Sequence, residues 1–264
     1  VNYNYDRSVM YYDQTRAFAP GVEQRAVAAI GAALGLAVGA RLLEIGVGTG
    51  RLALPLAQAA DYCYHGQDIS AGMMGRLREK LTPNQQVLLT QSDAAALPYQ
   101  AGSFDAVLAV HVMHLLPDTA AALEEVRRVL RAGSRFVSVR DNLPAGDDLG
   151  AKLEVQMALF LREESYMGDT SKQAKGNVTL AALAAAGARE VQSSVAFSWT
   201  LTTSPRAAFA MIAGRQTRGL WAVPEDIFQP ALLRLCGWLG AEYRGVLDEP
   251  IPQERNFEII TALF

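Results

Sequence analysis

Between Arg41 and Val139 the chain alternates two kinds of hydrophobic pattern. Short apolar runs closed by turn residues read as buried strands, and apolar residues three or four apart read as helix. The runs predict strands at Arg41 to Ile45, Tyr62 to Gln67, Gln86 to Thr90, Phe104 to Val110 and Arg135 to Val139. The fourth is almost wholly apolar, as expected of a strand covered on both faces. The helical spacing predicts helices over Val22 to Ala37, Leu52 to Ala60, Ser70 to Leu81, and from Asp118 or Thr119 to about Leu130. Pro55 is tolerated because it falls in a first turn. Ser70 suits an N-cap. Arg131-Ala132-Gly133 supplies the basic last turn and terminal glycine that stop a helix. Strands alternating with helices imply a parallel, doubly wound α/β sheet with right-handed crossovers. There is no internal repeat.

After Asp141 the alternation lapses. Helices are expected over Asp147 to Glu164, Thr179 to Ala186, Pro205 to Arg218 and Pro224 to Leu239, with strands at Glu190 to Thr200 and Asn256 to Phe264. The expected organisation is a single domain. It has a helical N-terminal region at 1–38, a core at 39–142, and further helices with the last two strands at 143–264.

Half of the 264 residues are hydrophobic, enough for a sizeable core. A formal net charge of −3 offers no basic field for nucleic acid. Two cysteines, Cys63 and Cys236, make neither a disulfide framework nor a zinc site, which fits a reducing, cytoplasmic setting. No stretch is long and apolar enough to span a membrane, and Val1 to Arg16 lacks the charged start and apolar run of a signal peptide. The missing initial Met suggests a trimmed chain.

The densest chemistry lies in LLEIGVGTGR, Leu42 to Arg51. A strand ends in Glu44 and Ile45, and Gly46, Gly48 and Gly50 follow at every second position. A strand, a glycine turn and a helix start form a ligand-binding corner at the carboxyl edge of an open sheet. A dinucleotide fingerprint would place its last glycine where Arg51 stands. The bland reading is a glycine turn with no ligand. The pattern Glu-x-Gly-x-Gly-x-Gly instead resembles motif I of the class I S-adenosylmethionine (SAM) dependent methyltransferases. Asp68 in QDISAGMM and Asp93 in SDAAALPYQAGSFD resemble two further strings of that family, in its ubiquinone- and menaquinone-biosynthesis-like group.

The resemblance covers about the first half of the chain. It implies a Rossmann-like, mostly parallel seven-stranded sheet whose last two strands form an antiparallel pair. It implies SAM as cofactor, S-adenosylhomocysteine as product, and a small-molecule acceptor methylated on O, C or N. Glu44 and the glycines would hold the amino-acid end, and Asp68 the ribose hydroxyls. Ile69 and Met73 would pack on the adenine, and Asp93 and Ala94 would meet its amino group. Val110 would close the site at the end of the fourth strand. Tyr3, Tyr5, Tyr11, Tyr12 and Phe18 crowd the N-terminus, which would fold over the cofactor with Tyr11 and Arg16 nearest to it. The plainer alternatives are core filling for Met73 and Met74, an Asx turn for Asp93, and a packed N-terminal helix.

A base is needed only where the acceptor must lose a proton, and histidine suits that role near neutral pH. His111 and His114 follow the fourth strand and are the candidates, while His65 and Asp105 read as structural. Asp141-Asn142 is the only hint of a magnesium-assisted O-methyltransferase, and no metal is expected. A SAM-binding module without catalysis and a nicotinamide reductase are the other readings. A nucleic-acid methyltransferase is disfavoured because no Asn/Asp-Pro-Pro-aromatic string is present. Trp199, Trp221, Trp238, Phe209, Met211 and Phe228 either line an apolar pocket or form ordinary core. A monomer or homodimer is expected.

Overall fold

The strands predicted from the apolar runs lie side by side in one sheet. The computed structural model describes residue 6 and residues 9–83, 85–144, 148–167 and 180–264. Among these residues the strands are β1 (Arg41–Ile45), β2 (Cys63–Asp68), β3 (Val87–Gln91), β4 (Phe104–Val110), β5 (Leu130–Pro144), β6 (Arg189–Thr203) and β7 (Ile251–Leu263). Their order is β3-β2-β1-β4-β5-β7-β6. The pairs β1–β2, β1–β4, β2–β3 and β4–β5 are parallel. Gly133 bonds Phe264 while Arg140 pairs with Glu258, so β7 runs antiparallel to β5. The order reverses direction at β1, which sits between β2 and β4 and places their carboxyl ends around one crevice.

The helices are α1 (Val9–Thr15), α2 (Val22–Leu34), α3 (Ala53–Ala59), α4 (Ala71–Lys80), α5 (Thr119–Val129), α6 (Leu149–Glu163), α7 (Leu180–Ala185), α8 (Pro205–Ala213) and α9 (Glu225–Glu242). Two caps fall on the expected residues. Ser70 accepts from the Met73 amide, and Asp118 accepts from the Ala121 amide. Several boundaries differ from the pattern. β7 begins at Ile251 rather than Asn256, β5 runs on to Pro144 and α9 to Glu242. Gly35 turns left-handed at φ 59° and ends α2 at Leu34, before the apolar residues that prolonged the predicted helix. Arg131-Ala132-Gly133 does not close α5 but opens β5. The β4–β5 register shifts there between Phe104 and Ala106, and Gly133 at φ 78° donates to the Phe264 carbonyl. α8 ends at Ala213, and a separate short 3₁₀ turn covers Arg218–Leu220.

The chain forms two compact units. The first comprises Val1–Leu143, Ala174–Ser198 and Asn256–Phe264, and the second Pro144–Gln173 and Trp199–Arg255. In the first, Leu43, Ile45, Phe104, Val107, Phe136 and Val126 pack into a core fully out of solvent. In the second, Leu149, Leu153, Met157 and Leu161 recur every four residues along α6. They pack with Phe228, Ala231, Leu235 and Leu239 of α9. Phe209 and Trp238 pack against the same cluster, so these aromatics and Phe228 are core of that unit.

Candidate functional site

The turn after β1 is built by packing as much as by backbone. Gly46 and Gly50 both have positive φ. A Cβ on Gly46 would lie 2.3 Å from Val112 Cγ2, and one on Gly50 would lie 2.2 Å from Leu77 Cδ1. Gly48 differs. Its φ is 56°, yet the nearest neighbour of a Cβ there is the Gly46 carbonyl at 3.9 Å. Gly48 is therefore the point where the turn faces open space and a ligand could come close.

Backbone amides fasten this turn to β2. Gly48 N–H donates to Asp68 Oδ2 and Ser70 N–H to Asp68 Oδ1, each at 2.8 Å. Each Asp68 oxygen keeps acceptor capacity, since an ionised carboxylate has about four lone-pair sites. Burial raises the Asp68 pKa, and the amides of Ser70 and Gly48 oppose that rise. Gln67, not singled out in the sequence, bridges the strands. Its Oε1 accepts from the Gly46 amide, its carbonyl accepts from the Val47 amide, and its Nε2 donates to the Ser92 carbonyl. A polar residue inside an otherwise buried strand, just before Asp68, was the available signal.

Glu44 is buried and accepts from the Tyr64 hydroxyl. Burial pushes its pKa up to about 8, against the lowering effects of that hydrogen bond and of the Arg51 charge. Ile69, next to Asp68, leaves 49% of its surface exposed although it is apolar. Met73 and Met74 are buried in the flank of α4. Asp93 is exposed, and its Oδ1 takes the Ala95 amide in an Asx turn while Ala94 is buried.

Val110 ends β4 half-buried, and His111 follows at φ 49°, a conformation uncommon outside glycine. Its amide bonds the Val139 carbonyl at 2.8 Å, tying the end of β4 to β5. The His111 and His114 rings meet edge to face, 4.6 Å between centroids. Both line a small pocket with Ser138 and Arg140 of β5. His65 instead packs edge-on against Phe104 and Tyr99. Asp105 takes the Arg41 amide and pairs with Arg131, a structural role.

The N-terminal segment reaches this site through a residue the sequence reading passed over. Asp13 of α1 accepts from Thr49 Oγ1 at 2.6 Å and from Lys80 Nζ at 3.0 Å. Burial raises the Asp13 pKa, but Thr49, Lys80 and Arg76 together hold it below its ordinary value. Arg51 donates to the Arg16 carbonyl at 3.0 Å, and its guanidinium lies over the Phe18 ring. The Arg16 side chain is exposed. The Tyr11 hydroxyl is buried with no hydrogen-bond partner among the described residues. Tyr3, Tyr5 and the side chains of Asp141 and Asn142 lie outside the described residues. Among the described residues there is no cluster of three or more metal-ligating side chains.

Residues 43–138, which carry most of this site, match a methyltransferase domain family. The 27-O-demethylrifamycin SV methyltransferase of Amycolatopsis mediterranei is 33% identical over 129 residues, covering 48% of this chain and 47% of that protein. The chain thus spans about half the length of that relative. A phosphatidylethanolamine N-methyltransferase of Cereibacter sphaeroides is 36% identical over 146 residues, covering 53% of this chain and 68% of that protein. Phosphoethanolamine N-methyltransferase 2 of Haemonchus contortus, solved with S-adenosylhomocysteine, shares the fold. Its TM-score is 0.56 at 17% identity, over 98% of this chain and 57% of that one. With the domain match lying over the glycine turn and a relative matched along two thirds of its length, the chain belongs to the SAM-dependent methyltransferase family.

Proposed function

We propose that this chain binds SAM at the turn after β1 and transfers its methyl group to a small-molecule acceptor. The observation that carries this reading is the open face of Gly48 beside Asp68, a carboxylate with acceptor capacity left on both oxygens. The residues present fit the cofactor. Glu44 and the glycine turn, which leaves room at Gly48, suit its amino-acid end, and Asp68 its ribose. The exposed Ile69 offers an apolar surface for the adenine, with Asp93 and Ala94 at its amino edge. Met73, being buried, supports that surface from below. Val110 is the floor at the end of β4. Tyr11, with its unpartnered hydroxyl, and Arg16 close the N-terminal side.

The cofactor supplies an electrophilic methyl group on a sulfonium. The chain contributes placement, and holding an acceptor at near-attack distance is worth roughly 7–11 kcal/mol of barrier. His111 or His114 takes the proton from an acceptor hydroxyl or acidic carbon, while an amine acceptor needs less help. A small, fairly apolar metabolite, as in quinone or natural-product tailoring, is the acceptor class we favour. We place the protein in the cytoplasm as a monomer or homodimer, acting without metal or nucleic acid.

Calorimetry with SAM, S-adenosylhomocysteine, NAD and NADP tests the reading. Saturable heats are expected from the first two only, with loss of both in Asp68→Ala. No heat from SAM or its product would overturn it. Full activity in EDTA is expected, and its loss would favour the metal-assisted alternative.

A further inference from the structure

The pocket lined by His111 and His114 holds two further polar side chains that binding the cofactor does not require. Ser138 and Arg140 stand two residues apart on β5 and so share one face of the sheet. The cavity measures about 10 Å³, the least that admits one water-sized group. Ser138 is only 3% exposed, yet its hydroxyl has no hydrogen-bond partner among the described residues. Arg140 gives Nε and Nη2 to one oxygen of Glu258 on β7, and Ser193 of β6 donates to the other oxygen at 2.7 Å. That carboxylate fixes the guanidinium and offsets its charge. A guanidinium carries five N–H donors, and the two on Nη1 have no partner among the described residues.

We propose that this pocket receives the ionisable oxygen of the acceptor, that Ser138 and Arg140 donate to it as an oxyanion, and that the acceptor is therefore an enol or a phenol rather than an amine. The inference rests on the methyltransferase reading and narrows its acceptor class. Because Glu258 offsets the Arg140 charge, selection falls on donor direction. An ammonium group has donors only and finds no acceptor on a guanidinium, whereas an oxygen with lone pairs meets both Arg140 and Ser138. His111 or His114 removes the O–H proton, and the electron pair of that bond stays on the acceptor, shared between the oxygen and the conjugated carbon. The two donors face the place where this charge develops, the arrangement that stabilises it most. The acceptor anion then forms its bond to the methyl carbon as the carbon–sulfur bond breaks, and the pair of the broken bond stays on sulfur. The imidazolium gives its proton to solvent.

The test titrates the whole protein, without cofactor, into para-nitrophenol at the pH where half of the free probe is ionised. The phenolate absorbance reads the ionisation of the bound probe directly. Binding should raise that absorbance, with the phenolate held about tenfold more tightly than the phenol, because hydrogen bonds to the charged form favour it. Para-nitroaniline, with the same ring and nitro group, should bind at least about tenfold more weakly than the phenolate. Ser138→Ala removes one donor at little cost in packing. Arg140→Met combined with Glu258→Gln removes the other without stranding a charge. Each should weaken phenolate binding by about tenfold, the scale of one hydrogen bond to a charged group. No rise in phenolate absorbance with the unmodified protein would sink the proposal whatever the variants do. Equal affinity for the aniline, or unchanged phenolate binding in folded Ser138→Ala, would do the same. SAM does not enter this readout, so a failure here leaves the calorimetric test of cofactor binding intact, and a failure there leaves this one readable.

Discussion

Glu44 joins the fold to the proposed chemistry through one proton. With its pKa pushed up to about 8 by burial, the carboxyl is protonated in the ligand-free protein at pH 7. A positively charged amino group brought against it favours the ionised form. Binding of SAM should therefore release a proton below about pH 8, and affinity should rise with pH by up to about tenfold per unit before levelling there. Calorimetry at pH 7 in buffers of different ionisation enthalpy would read the released proton. Glu44→Gln should abolish both the release and the pH slope, and an unchanged slope would remove Glu44 from the site. The same shift carries a stability signature. A carboxyl at 4.5 when unfolded and about 8 when folded binds more protons in the native state across that window. Stability must then fall as pH rises from about 4.5 to about 8, and Glu44→Gln should flatten the slope. A second prediction concerns the imidazoles. His111→Ala or His114→Ala should cut turnover by about 10²–10⁴-fold with SAM affinity unchanged, if the acceptor loses a proton. Unchanged turnover in both single variants and in the double would remove the base.

Among the elements, α1 is where a small ion-pair cluster has a large local effect. Its link to the glycine turn and to α4 runs through Asp13, whose pair with Lys80 is still partly exposed at 35% and 28%. Such a pair contributes only about 0–1 kcal/mol to global stability. Asp13→Ala should thus barely move the melting temperature yet free α1 locally. Limited chymotrypsin digestion near Tyr11 should be slowed by SAM in the unmodified protein, and faster with little protection in Asp13→Ala. Equal cleavage with and without SAM would show that α1 is not a lid. The Asp13 carboxylate has a lowered pKa, so its contribution is present above about 3.8 and is lost as pH falls through the folded value. Asp13 was not legible in the sequence because its partners Thr49 and Lys80 lie 36 and 67 residues away. Local signals were legible: β4 from its apolar run, α4 and α5 from Ser70 and Asp118, the turn from its glycines. Gln67 escaped because its work is to tie β1 to β3 across β2, which no periodicity records. The start of β5 was misread because Arg131-Ala132-Gly133 has the composition of a helix stop. Only its partner strand β7 shows that the glycine serves a sheet.

For the molecule as a whole, every residue assigned to the cofactor falls within Val1–Leu143, in the first of the two compact units. The domain match at 43–138 lies in that stretch too. The second unit, built on α6, α8 and α9, has its own core and none of the assigned cofactor residues. A ligand that binds only the folded first unit stabilises it by about 2.7 kcal/mol at a hundredfold excess over Kd. For a chain of this size that is worth roughly 5–10 °C in melting temperature. Hydrogen exchange then locates the effect. SAM should slow exchange in peptides covering 44–50, 67–70 and 93–95, where the amides of Gly48, Ser70 and Ala95 already bond the carboxylates that hold the site together. NAD at the same concentration should change neither the melting temperature nor these amides. Slowed exchange confined to peptides of α6, α8 and α9 would place the cofactor outside the glycine turn. A thermal shift with NAD but not with SAM would return the turn to the dinucleotide binders from which Arg51, standing where their last glycine belongs, separates it.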